Sequence, residues 1–282
     1  MEIKYNRHIH ISAEHRLLDL KLKEVWRYRE LIWLFTKRSF LVSYKQTILG
    51  PLWLIINPLL TSFVYVVLFG NIAKLGTGGV PQLLFYLGGN ALWSYFSSCL
   101  TGNSSAFTAN ANLFGKVYFP RLVMPLSQVI GAVIRFGIQL IPVAVLMVYY
   151  VLNGKVQPHY ELWILLPFLL VWLGVLGMGF GILVSGMTTK YRDLSVLVGF
   201  GMQLLMYGTP VVYPLTSLPD ALMTYALINP VTMPVELFRY ILFGTGTVCP
   251  WSVVLSLTIT VLVAFSGLIL FNKVERIFID TV

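Results

Sequence analysis

Long apolar blocks are the feature that most restricts what this chain can fold into. Six such segments occur, at roughly 52–70, 83–103, 122–151, 162–186, 195–213 and 251–271. A helix needs about twenty apolar residues to cross the hydrocarbon core of a bilayer. Hydrophobic residues make up 57% of the 282 positions and charged residues only 11%, which leaves too little polar surface for a water-soluble domain. The sequence predicts an all-α polytopic membrane protein with six transmembrane helices within residues 51–271.

Positive charge is divided unevenly between the segments that join these blocks. Sixteen of the twenty Lys and Arg residues fall on one side if that side holds residues 1–50, 104–121, 187–194 and the tail 272–282. The opposite side holds only Lys74, Lys155 and Arg239. Cytoplasmic segments carry such an excess, so both termini are predicted in the cytoplasm and the chain in the inner (cytoplasmic) membrane. Topology thus explains the net charge of +9 without a nucleic-acid partner.

The N-terminal segment contains an amphipathic pattern before the first apolar block. Its apolar positions approximate one helical face, and basic residues surround that face. The pattern predicts an interfacial helix that lies on the membrane surface, with Trp26, Arg29, Trp33 and Arg38 among its residues. The alternative is a helix packed on a soluble domain, but the remaining sequence contains no such domain.

The segment between the last two blocks is too apolar for a free loop and too rich in proline to span. Two short re-entrant helices are therefore predicted within residues 217–243. Ser217 and Asp220 resemble a capping box, and a second helix begins near Thr232 and ends at Gly244. At membrane depth such pieces need protein or a water-filled cavity around them.

Catalytic chemistry is not indicated by the pattern of titratable residues. The six blocks contain no Asp, Glu or His, and the chain has no glycine-rich phosphate loop followed by Lys and Ser or Thr. An ATP-driven process would therefore need a separate ATPase subunit. The cluster of His8, His10 and His15 lacks Cys or paired carboxylates, so no metal site is expected, and Cys99 and Cys249 are interpreted as packing residues.

Arg135 is the one ion predicted inside an apolar block, about 21 Å beyond Arg121 on an ideal helical rise. Its possible partners are backbone carbonyls, Asn or Gln side chains, a subunit interface, or an anionic lipid head group.

Aromatic residues either anchor and pack the helices or line a path on which sugar rings stack. The pathway candidates besides Arg135 are Trp53, Tyr65, Phe69, Phe200 and Tyr207. Glycines between residues 174 and 186 predict a face for close helix packing.

A series of short motifs follows the order of the blocks. They are YKQT at 44–47, LGPLW at 49–53, NP at 57–58, KVYFPR at 116–121, YRDL at 191–194, YP at 213–214, LP at 218–219 and NP at 229–230. Each motif is short, but their order and spacing together resemble the permease subunits of ABC polysaccharide exporters. The resemblance covers nearly everything from Trp26 to Arg276.

This resemblance implies a homodimeric channel joined to two copies of an ATPase, which would bind ATP and magnesium, with no cofactor on this chain. The substrate would be a lipid-linked polysaccharide moved outward, with lipopolysaccharide O-antigen the first expectation. The segment 104–121 would contain the coupling helix that contacts the ATPase. Its coupling residues would be Phe114, Lys116, Tyr118 and Arg121, and the interfacial helix would lie beside the ATPase.

Two kinds of alternative remain open from the sequence. Capsular polysaccharide, teichoic acid or a drug are the alternative substrates for a permease of this type. A membrane-bound glycan-processing enzyme is the alternative from another class. It would need a catalytic carboxylate near the membrane, and Asp220 and Glu236 are the only plausible pair.

Overall fold

The computed structural model of the chain describes residues 22–45, 47–105, 119–188 and 193–280. Within these ranges the regular structure is helical, without a strand. The α-helices described are α1 Leu22–Arg27, α2 Arg29–Tyr44, α3 Trp53–Tyr65, α4 Gln82–Ser104, α5 Val123–Leu152, α6 Leu166–Thr188, α7 Leu194–Tyr207, α8 Asp220–Ile228, α9 Thr232–Phe243 and α10 Pro250–Asp280. A 3-10 turn precedes α3 and another precedes α6, while a π-helical turn at Val66–Ile72 extends α3.

Several of these helices have the length and composition of membrane spans. In the described ranges, four helical stretches qualify: Gly50–Ile72, Val123–Leu152, Tyr160–Thr188 and Pro250–Phe271. The pair α8 and α9, bent by 98° at a short break, makes a fifth if it is counted as one span. The blocks predicted at 83–103 and 195–213 are also helical, but α4 does not meet the apolar criterion and α7 has only 14 residues. Length and composition therefore give four or five apolar spans and do not confirm six.

Helix α4 occupies the centre of the bundle, which explains why it is less apolar than its neighbours. It packs against α3, α5, α6, α7 and α9, and all residues from 84 to 93 are buried. A helix enclosed by protein does not need an apolar surface toward lipid. It can therefore carry Asn90, Ser94 and Asn103 within its length.

The glycines of α6 allow two neighbouring helices to approach closely. A methyl group on Gly177 would lie 2.8 Å from Cβ of Cys99, and one on Gly181 would lie 2.5 Å from the carbonyl oxygen of Leu100 on α4. On the other side, Gly179 and Gly186 face Val263 and Leu270 of α10 in the same way. The predicted packing face between residues 174 and 186 is confirmed, and it joins α4, α6 and α10.

The N-terminal segment that was predicted to form an interfacial helix contains two helices. It is broken at Tyr28 into α1 and α2, and α2 packs against α5. Val25 and Ile32 are buried, and the Thr36 hydroxyl donates to the Ser127 carbonyl oxygen of α5 at 3.1 Å. Trp26 and Trp33 are 70% and 58% exposed, so the apolar residues divide between two faces. The single apolar face is not confirmed, because helical spacing alone did not account for packing against α5.

Two short helices fill the segment between α7 and α10. Helix α9 begins at Thr232 and ends at Gly244, which has a left-handed φ of 70°, as predicted. The predicted capping box is wrong, because the Ser217 hydroxyl donates to the carbonyl oxygen of Pro214 and Pro219 precedes α8 without a side-chain cap. Asn229 instead stabilises the break, donating to the Thr209 hydroxyl at 2.9 Å and accepting from the Val231 amide at 3.0 Å.

Candidate functional site

A polar groove with a volume of about 240 Å³ lies between α3, α4 and α5. Its walls carry amides and hydroxyls from three helices, and Tyr44 and Trp53 lie where α2 and the 3-10 turn lead into α3. The polar lining residues are Asn57 and Thr61 of α3, Asn90 and Ser94 of α4, and Gln139 of α5. Burying such side chains between membrane helices costs free energy unless they form hydrogen bonds, either to the protein or to a ligand.

The polar groups of this groove are not used by the fold. The side chains of Asn57, Thr61, Asn90, Ser94 and Gln139 make no hydrogen bond to the described part of the chain, although Asn90 and Gln139 are only 7% and 8% exposed. Buried amides normally find partners within the protein. The groove therefore offers donors and acceptors to a hydroxyl-rich ligand, and Trp53 and Tyr44 provide aromatic surface beside them.

Arg135 lies one helical turn before Gln139, on the side of α5 that faces α2. Its guanidinium group folds back over Gly131 near Thr36, and it interacts electrostatically with the hydroxyl of Tyr44, which lines the groove. Within the described ranges Arg135 makes no hydrogen bond or ion pair. The sequence left several possible partners open for Arg135. Backbone carbonyls and side-chain amides of the described ranges do not bond to it, so its donors are free for an anion.

The aromatic pathway candidates divide into separate places. Tyr65 and Phe69 form a ring cluster with Tyr86 of α4, with centroid separations of 5.7 to 6.5 Å, and the Tyr65 hydroxyl lies 3.9 Å from the sulfur of Met206. Trp53 lines the groove and is 37% exposed. Phe200 and Tyr207 are 60% and 51% exposed along α7 and do not line the groove. The structure therefore places Trp53 at the groove, and Tyr65 and Phe69 in a cluster beyond it.

A buried ion pair on α9 was not anticipated, because Arg239 of the predicted second re-entrant helix was counted only among the charges of the outer side. Arg239 and Glu236 are 1% and 2% exposed, with 3.1 Å between the guanidinium Nη1 and the carboxylate Oε1. Arg239 also donates to the carbonyl oxygens of Pro210, Val211 and Tyr213 and stacks on the ring of Phe85 at 3.8 Å. The spacing Glu-x-x-Arg in a predicted helix was the signal that could have revealed this pair.

This pair also bears on the enzyme alternative. One oxygen of the Glu236 carboxylate is held by Arg239, and the other accepts from the Thr247 amide at 2.9 Å. Asp220 is exposed at the start of α8. A carboxylate with both oxygens held is not placed to act as a general acid or base, so the arrangement argues against glycan processing by these two residues.

The predicted ATPase-coupling residues lie mostly outside the described residues, which applies to Phe114, Lys116 and Tyr118. Arg121 is half-buried directly before α5. The neighbouring Phe119 is 6% exposed and packs on Phe35 of α2, with ring centroids 5.8 Å apart. The described end of segment 104–121 therefore contacts the N-terminal helix.

A helical bundle with several apolar spans and a polar groove between them is typical of a membrane transport protein. The chain matches the family model described as ABC-2 type transporter over residues 30–243, and it therefore belongs to that family. It is 27% identical over 265 residues to the O-antigen export system permease protein RfbA of Klebsiella pneumoniae, which covers 93% of this chain and 99% of the relative.

Two further relatives are named for capsule or polysialic acid transport. The capsule polysaccharide export inner-membrane protein CtrC of Neisseria meningitidis serogroup B is 23% identical, covering 87% of this chain and 92% of the relative. The polysialic acid transport protein KpsM of Escherichia coli is 26% identical, covering 68% of this chain and 72% of the relative. The resemblance to permeases of polysaccharide exporters is thus confirmed.

Proposed function

We propose that this chain is the permease of an ATP-driven exporter that moves a lipid-linked polysaccharide outward across the inner membrane, with lipopolysaccharide O-antigen as the substrate. The observation that carries this proposal is the near full-length correspondence with an O-antigen export permease, over 93% of this chain and 99% of the relative. Capsular polysaccharide is the second candidate, favoured by the similarity to CtrC and KpsM.

The groove supports transport of a glycan attached to a phosphate-bearing lipid. Free amides and hydroxyls at Asn57, Asn90 and Gln139 suit sugar hydroxyls, while Trp53 suits the apolar face of a sugar ring. Arg135 beside the groove suits the phosphate of a lipid head group, because a guanidinium offers several donors and low dielectric strengthens the attraction. The groove then binds the region where sugar and lipid join.

The working assembly in this proposal is a homodimer with two copies of a separate ATPase, which binds ATP and magnesium. Each permease has six spans and both termini in the cytoplasm. Helix α4 counts as a span although protein encloses it, and α7 counts as a span together with residues 208–213, which follow it toward the carbonyl groups that bind Arg239. Residues 104–121 contact the ATPase, and Phe114, Lys116, Tyr118 and Arg121 carry that contact. The positive charge of that side supports this orientation.

Reconstitution tests the proposal. The permease is co-expressed with a candidate ATPase subunit from the same organism, purified and placed in vesicles that contain labelled lipid-linked glycan. We expect co-purification of the ATPase and translocation of the glycolipid only with ATP and magnesium. Labelled O-antigen and capsular intermediates, offered in parallel, distinguish the two substrates. Chemical alteration of the glycan by the permease alone, or ATP-dependent movement of small amphiphiles without movement of glycolipid, would reject the proposal.

A further inference from the structure

A second polar pocket, here called the outer pocket, lies at the end of the bundle where α3 stops and α4 begins. It has a volume of about 250 Å³ and is lined by residues 77–78, 214–216 and 245–247 together with Phe85, Glu236 and Arg239. Three connecting segments therefore close around the buried ion pair of α9. This pocket is separate from the groove, because the two share no lining residue.

The chemistry of the outer pocket is polar but nearly neutral. The charge of Arg239 is balanced by Glu236 at 3.1 Å, so the floor does not present a free cation to an anion. The rim carries the hydroxyls of Thr216, Thr245 and Thr247, which make no hydrogen bond to the described part of the chain. Pro214 and Leu215 add apolar surface to the same wall. Hydroxyls beside apolar surface match the two sides of a sugar ring.

Two buried polar atoms near this floor have no hydrogen-bond partner among the described residues. They are Nε of Arg239 and the hydroxyl oxygen of Tyr86, which interacts electrostatically with the same guanidinium group. Such atoms are rare in folded proteins. Both atoms are closed off from solvent, so they belong to the wall behind the pocket, and the hydroxyls that face a ligand are those of the threonines at the rim.

We infer that the outer pocket binds one sugar residue of the glycan as the chain leaves the protein. The volume is below the usual range of about 300 to 1,000 Å³ for drug-sized ligands, which fits a single ring rather than a length of polymer. The aromatic cluster of Tyr65, Phe69 and Tyr86 reaches this pocket, because the rings of Tyr86 and Phe85 are 5.5 Å apart. This inference rests on the proposed function, which supplies a glycan at that end of the bundle.

Cysteine protection tests binding without relying on transport. Thr216 is exposed at the rim, and Thr224 is exposed on α8 away from the pocket, so Thr216→Cys and Thr224→Cys make a matched pair in a Cys249→Ala background. The probe is the lipid-free polysaccharide recovered from the native cells. We expect it to slow maleimide labelling at Thr216→Cys, by roughly tenfold at about ten times Kd, and to leave Thr224→Cys unchanged. Equal labelling of both, or protection of Thr216→Cys by inorganic pyrophosphate, would overturn the inference.

Transport provides the second measurement and separates the two proposals. Thr216→Trp places a large ring in the pocket without removing a hydrogen bond among the described residues, whereas Thr224→Trp adds the same ring outside it. We expect Thr216→Trp to reduce glycolipid translocation severalfold at unchanged thermal stability. If wild type and both variants translocate equally, the outer pocket is rejected and the proposed function stands. If wild type does not translocate, the proposed function fails, and cysteine protection alone decides whether the pocket binds sugar.

Discussion

Arg239 and Arg135 differ in what their guanidinium groups contact. Arg239 bonds to Glu236 and to three carbonyl oxygens between α7 and α8, so it ties α9 to the segment 210–213. Arg135 has no such partner in the described ranges. An arginine whose two terminal nitrogens both bond to the protein holds a structure together, while one with free donors is available to a ligand. Substitution of Arg239 is therefore expected to affect stability, and substitution of Arg135 is expected to affect transport.

Substitution of Arg239 should lower stability. Arg239→Met leaves the Glu236 carboxylate buried without its cation and removes the donors to Pro210 and Val211, which costs about 3 to 5 kcal/mol for a buried pair. Arg239→Lys should not preserve the stability, because an ammonium group cannot place donors in the planar arrangement of a guanidinium group. Thermal unfolding in detergent measures the effect, with Lys155→Met in an exposed loop as the control. An unchanged Tm for Arg239→Met would contradict this role.

Substitution of Arg135 should lower transport. Arg135→Gln removes the charge offered to a head-group phosphate, so we expect much of the translocation to be lost while folding and ATPase assembly stay normal. Arg135→Lys keeps the charge and should retain part of the activity. Glycolipid-stimulated ATPase activity, measured beside thermal stability, separates this role from a structural one, in which both variants would lose stability. A stable and fully active Arg135→Gln protein would exclude both roles, and Lys155→Gln is the matched control.

The sequence identified Arg135 because a lone cation stands out within an apolar block. It did not identify the groove, since single residues such as Asn57, Asn90 and Gln139 barely change the apolar average of a helix. Their meeting across three helices depends on tertiary packing, which no local pattern contains. The burial of Arg239 was missed for a related reason, because counting the charges between two spans does not show which of them pair inside the protein.

At the scale of helices, packing explains why composition alone did not predict every element correctly. The spans α3, α5, α6 and α10 were predictable because each carries a long apolar run. Helix α4 is surrounded by protein, so its composition is closer to that of a soluble core helix, and α7 is short because the chain turns after Tyr207. The contact of α2 with α5 was missed because a helix with apolar residues on two sides fits either a membrane surface or a protein neighbour.

The close approach of α4 and α6 gives a prediction at this scale. Gly181→Ala would place a methyl group 2.5 Å from the carbonyl oxygen of Leu100, so the two helices must separate. We expect a decrease in Tm of several degrees, corresponding to roughly 1 to 3 kcal/mol for overpacking. Gly137→Ala on α5 is the control, because no atom lies within 4 Å of the added methyl group, and it should be neutral or slightly stabilising. Equal effects of the two variants would contradict the packing argument.

The orientation of the whole molecule rests on charge, because the fold itself does not distinguish the two sides of a membrane. The segments that precede α4, α6 and α10 meet at one end around α9, since His159 stacks on Tyr240 and the Glu236 carboxylate accepts from Thr247. The segment from Phe119 to α5 meets α2 at the other end. Lys and Arg are concentrated on this second side, so it is expected to be cytoplasmic.

The two free cysteines test that orientation. Cys249 is half-buried in the segment before α10, whereas Cys99 is fully buried within α4. A maleimide that does not cross membranes should therefore label Cys249 on intact spheroplasts, and Cys99 should stay unlabelled from either side until the protein is unfolded in detergent. Cys249→Ser should abolish the label on spheroplasts, which assigns the signal to that residue. If Cys249 were labelled only after the membrane is permeabilised, the end of the bundle around α9 would be cytoplasmic and the outer pocket would lie on the side where the glycan enters.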